Sequence, residues 1–300
     1  MSKVPYHKPA LTYQEQLDQL KKRGLIFEDD SRALHLLAQV NYYRLSGYWY
    51  PLLVDKNTHY FKPDSTFETA FRLYCFDREL RRLVLAELEK IEIAIRARMI
   101  YVLSHQFGPF WFTDPDLFVD TGTHAKIISN LTKEYRRSDE QFINAFRQKY
   151  TESLPPSWML LELSSFGTLS VLYKNLKPGT KKREIANHFG LDDQTFSSWL
   201  HSIVYLRNIC AHHSRLWNRV MSIQPRIPKK PLLLWLSSRP TTNDRTYFAL
   251  VMILFMLETV NPKHTFIHKL TALFNKYPEV DKKAMGFEKG WENEEIWKSP

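Results

Sequence analysis

The sequence predicts an all-α protein, and three observations carry that expectation. Only 9 of the 300 residues are glycine, less than half the usual ~7%, which disfavours folds built on Gly-rich turns. Apolar residues recur at three- and four-residue steps through Phe67, Phe71, Tyr74, Leu80, Leu83, Val84, Leu88, Ile91, Ile95 and Met99, the period of a helix face. No Gly-rich phosphate loop occurs, so a dinucleotide-binding sheet is not expected. A hydrophobic fraction of 44% excludes wholesale disorder.

The elements follow in order. Thr12-Tyr13-Gln14-Glu15 is a capping box that leads into a helix over Gln16–Arg23, stopped by Gly24. A second helix begins near Ser31 with Leu34, Leu37 and Ala38, and runs into the aromatic stretch Tyr42–Tyr50. Pro51, Asn57 and Lys62-Pro63-Asp64 then break the pattern. From Phe67 a long helix, or two nearly collinear ones, continues until Gly108-Pro109. Another helical stretch lies between about Thr123 and Tyr150, and Pro156 is placed to open a helix over Trp158–Leu172. Pro178-Gly179 ends it. Lys181–Phe189 is a short basic helix, and Asp192 or Asp193 caps the next, which carries the chain through Arg207 to about His213. Pro225, Pro228 and Pro231 mark a stiff connector. Asp244–Thr259 and Thr265–Asn275 are the last helices, before an acidic tail from Glu279. This pattern divides the chain into an N-terminal helical and aromatic subregion (1–63), a helical core (64–260), and a C-terminal helix with its tail (261–300).

Two cysteines, Cys75 and Cys210, cannot build a disulfide framework and fit a reducing compartment. The N-terminus lacks the apolar stretch of a signal peptide. The most apolar run, Tyr247–Leu257, is about half the ~20 residues a membrane helix needs. A cytoplasmic protein with no membrane partner is expected.

The formal net charge is +10, and it is unevenly spread. Residues 174–230 hold eleven cations, among them Lys181, Lys182, Arg183, Arg215 and Arg219, against the three anions Glu184, Asp192 and Asp193. Such a concentration is the footprint of phosphate-backbone contacts, or else a solvated basic surface.

Inside this zone lies Tyr205-Leu206-Arg207-Asn208-Ile209-Cys210-Ala211-His212-His213-Ser214-Arg215-Leu216-Trp217-Asn218-Arg219. Arg207 and His212 are five residues apart, about 140° around a helix. They can converge where two copies of the helix meet or where the helix end unwinds near His213. An imidazole moves protons near neutral pH, and a guanidinium stabilises charge on a phosphate in transit. By spacing alone the pair is equally compatible with a capped helix end and a buried, hydrogen-bonded His212.

Arg207-Asn208-x-x-x-His212 resembles the ribonuclease motif of HEPN domains, and Leu206–Arg219 resembles the signature of the Abi family of bacterial abortive-infection proteins. Further segments are similar to the same family: Asn41–Tyr48, Tyr74–Arg81, Ile91–Arg96, Trp158–Leu169, and more weakly Met285-Gly286-Phe287 with Trp291. The resemblance implies a HEPN-like helical bundle core with N-terminal and C-terminal helical extensions. It implies a metal-independent endoribonuclease of an abortive-infection or toxin–antitoxin system, needing no cofactor. Arg207 and His212 would be catalytic, with Asn208, His213, Glu162 and Glu92 in support. Lys181, Lys182, Arg183, Arg215 and Arg219 would bind RNA. A composite site in that family implies a homodimer, and a toxic nuclease implies a restraining partner, either a structured RNA or a protein antitoxin. A non-catalytic RNA-binding HEPN protein is the alternative. A helical DNA-binding regulator, with Lys181–Leu191 and the next helix as a helix-turn-helix, is a weaker third.

Other residues are expected to be structural. Glu162 and Glu92 fit ion pairs with Arg207 or Arg96 in the helical core. Tyr42, Tyr43, Tyr48 and Trp49 are expected to pack rather than stack bases. His264 and His268, one turn apart without a third ligand, read as a surface pair and not a metal site. Cys210 and His212 point away from each other, which disfavours a thiol–imidazole nucleophile.

Overall fold

The computed structural model of the chain describes residues 5–298. Its helices dominate and the sheet is confined to one two-stranded hairpin, so the all-α class holds. No described helix is long and apolar enough to cross a membrane. The described residues fall into two compact units. One comprises residues up to Leu80 with Leu273–Val280, the other Arg81–Ala272 with the chain from Asp281. The divisions at Leu80 and at Ala272 each fall within a helix.

The first unit begins with α1 (Tyr13–Lys22). Thr12 accepts from the Glu15 N–H while the Glu15 carboxylate accepts from the Thr12 N–H, so two otherwise orphaned donors are satisfied reciprocally. Gly24, at φ +91°, lets the chain turn away. α2 (Asp30–Val40) is capped by Asp29. The sequence runs this helix into the aromatic stretch, but the backbone breaks at Asn41, which sits at φ +73° with its side chain accepting from Tyr43 N–H at 2.8 Å. A new helix, α3 (Tyr42–Trp49), starts there. The short antiparallel pair β1 (Leu53–Asp55) and β2 (Tyr60–Phe61) follows, with Leu53 opposite Phe61. Leu17, Leu20, Leu37, Leu45, Trp49 and Phe67 form the buried core of this unit. Tyr48 is buried and its hydroxyl donates to Asp77 at 2.7 Å. The packing expected for the aromatic group therefore applies to Tyr42, Tyr48 and Trp49 but not to Tyr43, which is exposed.

α4 (Phe67–Phe107) is one uninterrupted helix of 41 residues. In the second unit α5 (Thr121–Arg137) and α6 (Gln141–Lys149) replace the single stretch expected there. The helix expected over Trp158–Leu172 is also broken, into α7 (Ser157–Leu160) and α8 (Phe166–Asn175). The reason is local competition for backbone groups. Ser164 Oγ donates to the Leu161 carbonyl at 2.6 Å, and Ser165 Oγ accepts from Thr168 N–H at 3.1 Å, capping a new helix.

α9 (Thr180–His188) and α10 (Asp193–Ala211) lie against each other, and α10 also packs on α8. Phe196, Trp199, Leu200, Ile203 and Leu206 are buried along α10. α11 (Thr246–Val260) is buried from Thr246 to Leu257, so the most apolar segment of the sequence is the interior helix of this unit. Trp199 meets Phe255 edge-on at 5.3 Å. α12 (Phe266–Lys276) ends the helical run. The acidic tail is folded: Glu294 accepts from the backbone N–H and hydroxyl groups of Ser237 and Ser238, Phe287 and Trp297 pack on Tyr247, and Trp291 packs on Phe287 and Trp297.

Candidate functional site

The two residues singled out by the motif sit at the C-terminal end of α10. That helix stops at Ala211 because the chain closes it with a Schellman turn. Ser214 N–H reaches back to the Ile209 carbonyl at 2.9 Å, and His213 N–H to the Cys210 carbonyl at 3.1 Å. The closing residue takes the left-handed region, where glycine is usual; here it is His213, at φ +56°. His212 becomes the C-cap, with its N–H on the Asn208 carbonyl, and its side chain is exposed. A buried His212 is thereby ruled out, and the helix stays wound through His212, so among the described residues no hydrogen bond joins it to Arg207 within the chain.

One and a half turns earlier, half-buried Arg207 faces α4. Its Nε is 3.8 Å from the Glu92 carboxylate, and its Nη1 donates to Asn208 Oδ1 at 3.3 Å. Glu92 also accepts from Arg96 Nη2 at 2.9 Å, an i, i+4 pair on α4 whose arginine is only 9% exposed. Arg96 in turn donates to the Ser164 carbonyl at 3.2 Å, so the interruption between α7 and α8 supplies an acceptor for a buried guanidinium. Arg207, Glu92 and Arg96, with Leu85, Glu89 and Ile93, line an open pocket of about 330 Å³. Glu92 therefore holds two guanidinium groups in fixed relation. Removing one partner of such a pair leaves the others uncompensated.

Glu162 does not join them. It lies in the 3₁₀ turn Leu161–Leu163, exposed to solvent, and among the described residues it forms no ion pair. Its expected pairing with Arg207 or Arg96 is replaced by Glu92 and by the Ser164 carbonyl.

The basic zone separates into inward and outward cations. Lys182 is half-buried, and its ammonium donates to the carbonyls of Lys174 and Leu176 and lies over the Tyr173 ring. Burial lowers its pKa. It closes the end of α8. Lys181 pairs with Glu184 at 2.8 Å, and Glu184 also meets Arg98 at 3.1 Å. Arg219 is half-buried against Tyr205, donating to its hydroxyl at 3.2 Å, while Ser222 donates to the same oxygen at 3.0 Å. Burial raises the Tyr205 pKa, and these donors more than offset it, leaving it lowered. Arg215 is half-buried, and Arg183 with Lys174, Lys177, Lys229 and Lys230 is exposed. The helix-turn-helix reading fits the α9–α10 order but not its charge, since Asp192 and Asp193 put two carboxyl groups at the end a recognition helix would present.

The histidine pair near the C-terminus also differs from expectation. His268 is exposed, but His264 is buried, its Nε2 3.6 Å from Glu258. Among the described residues no group of three or more His, Cys, Asp or Glu side chains is arranged to hold a metal ion.

The fold and site thus define an all-α protein with an arginine–carboxylate pocket and an exposed helix-terminal histidine on the same helix end. A family model described as Abi-like protein matches residues 35–218. The chain belongs to that family, which associates it with abortive infection and phage defence. The match contains Arg207, His212, Glu92 and every other candidate except Arg219. No curated protein and no solved structure matches the chain.

Proposed function

We propose that the protein is a metal-independent endoribonuclease acting in phage defence, with Arg207 and His212 as its catalytic pair. The observation that carries this reading is the end of α10. It presents an exposed imidazole on a residue outside the helix, and a guanidinium held by Glu92 at the rim of an open pocket. An imidazole left accessible takes or gives a proton, and an oriented guanidinium stabilises the charge that accumulates on a phosphate.

In this reaction the ribose 2′-OH attacks the adjacent phosphorus, and its proton passes to a base. The bond from phosphorus to the 5′-oxygen breaks, and that oxygen takes up a proton. The products are a 2′,3′-cyclic phosphate and a 5′-hydroxyl. His212 moves one proton, Arg207 steadies the phosphorane-like transition state, Asn208 fixes Arg207, and Glu92 sets its orientation. With one catalytic histidine per chain, a homodimer is the natural assembly, the second copy providing the other proton carrier. An activity of this kind requires a restraining partner, RNA or protein.

The test is cleavage of labelled RNA in EDTA by the wild type, Arg207→Ala and His212→Ala. Cleavage by the wild type alone is expected. Tight, salt-sensitive binding by all three without cleavage would instead identify a non-catalytic RNA-binding protein.

A further inference from the structure

Most of α3 is anchored. Leu45, Tyr48 and Trp49 are buried, Tyr48 is bonded to Asp77, and the Tyr42 ring meets Trp49 edge-on at 5.0 Å. Tyr43, by contrast, is 86% exposed, and Tyr50 is exposed as well. Tyr50 opens the 3₁₀ turn Tyr50–Leu52, but its N–H still bonds the Ser46 carbonyl one turn back, so the register of α3 carries to it. Residues seven apart on a helix lie within about 20° of each other around the axis and about 10.5 Å apart along it. Between these two tyrosines on the same face stand only the small residues Ser46 and Gly47. That rise along the axis equals about three stacking steps of ~3.4 Å.

The surrounding charge is of the sign a phosphate chain requires. Residues 41–62 contain Arg44, Lys56 and Lys62 against the single anion Asp55. The Asp55 carboxylate is occupied by Asn57 N–H at 2.8 Å and Thr58 Oγ1 at 2.6 Å. Lys56 places its ammonium 5.1 Å from the Tyr50 ring centre. One exposed ring beside a cation, with a second exposed ring on the same helix, is the pattern of a single-strand stacking platform.

We propose that Tyr43 and Tyr50 form a base-stacking platform for single-stranded RNA, with Lys56 contacting its phosphate. The platform rests on the reading of this chain as an RNA-acting protein, and it assigns where unpaired bases are held. Two rings separated by small residues form a comb that admits flat bases, and its positive surroundings favour a nucleic acid over an apolar protein face.

The test measures binding of a fluorescent single-stranded RNA dodecamer, and of the same sequence as a duplex, to the His212→Ala protein in EDTA. Adding Tyr43→Ala is expected to weaken single-strand binding about tenfold, as loss of one base–aromatic stack does. Tyr43→Phe keeps the ring and is expected to retain the affinity. Duplex binding is expected to be unchanged, because its bases are not available to stack. Equal single-strand affinity for Tyr43→Ala and its parent overturns the platform, as does an equal loss for single strand and duplex. No RNA binding by the parent overturns it too. Cleavage by the wild type with no effect of Tyr43→Ala on binding sinks the platform alone. A Tyr43-dependent binding without cleavage by the wild type sinks the nuclease reading alone.

Discussion

The two ends of α10 are built differently. At the N-terminus Asp192 accepts from the Gln194 and Thr195 N–H groups and from the Thr195 hydroxyl, a fully satisfied cap. At the C-terminus the helix is closed by a histidine in a left-handed conformation that glycine adopts without cost, with an exposed histidine before it. One end follows the rules of stability and the other departs from them where the candidate site lies. Strain and exposure collected at one helix end are what a candidate functional terminus looks like.

This contrast can be broken in four ways. The largest effect is expected at the C-terminal end: under the proposed mechanism His212→Ala should lower RNA cleavage by at least ~10²-fold, while loss of an exposed side chain leaves the denaturation midpoint unchanged. A parallel fall in stability would assign His212 to the fold. At the structural end the pattern inverts. Asp192→Ala should cost about 1–2 kcal/mol in urea unfolding and leave the cleavage chemistry intact.

The third is a pH effect at the same cap. Burial pushes the Asp192 carboxyl up, but the Thr195 hydroxyl and the Thr195 and Gln194 N–H groups outweigh it and hold its pKa below the usual range. The folded pKa is depressed, so the unfolded chain binds the proton more readily. The stabilisation is present above the unfolded pKa of about 3.9 and is lost as pH falls through the folded value. The stability advantage of wild type over Asp192→Asn should therefore shrink as pH is lowered from 5 through this range. An advantage that stays constant would mean the carboxylate charge contributes nothing there.

The smallest effect isolates the strain. His213→Ala and His213→Gly both delete the imidazole, but only glycine relieves the left-handed backbone. His213→Gly should be the more stable of the two by about 1 kcal/mol. Equal stabilities would remove the strained-closure half of the comparison.

Much of this was legible from the sequence because the signals were local. The capping box at Thr12, the cap at Asp192 or Asp193 (Asp192 in the structure) and the apolar period of α4 each name their own partners within one turn. The motif residues Arg207 and His212 fell on the helix end anticipated for them. What was not legible depended on which face a residue presents. Glu92 and Glu162 looked alike as acidic members of helical segments, yet only Glu92 turns toward Arg207, because α4 is continuous while Ser164 and Ser165 interrupt the other segment. Lys182 read as a surface cation, but two carbonyls at the end of α8 claim it. Nothing in the histidine sequence signalled a left-handed residue at 213, since the usual marker is glycine. The hairpin at Leu53–Phe61 was too short to leave a period-2 pattern.

Under the proposed function, the α10 terminus cleaves RNA through the 2′-OH without metal. Its most direct test is the chemistry of the product ends after incubation of labelled RNA with the wild-type protein in EDTA. Fragments ending in a 2′,3′-cyclic phosphate and beginning with a 5′-hydroxyl are predicted, with no cleavage at a position carrying a 2′-deoxy sugar. Intact RNA, or cleavage that appears only with added divalent metal and leaves 5′-phosphates, would contradict it.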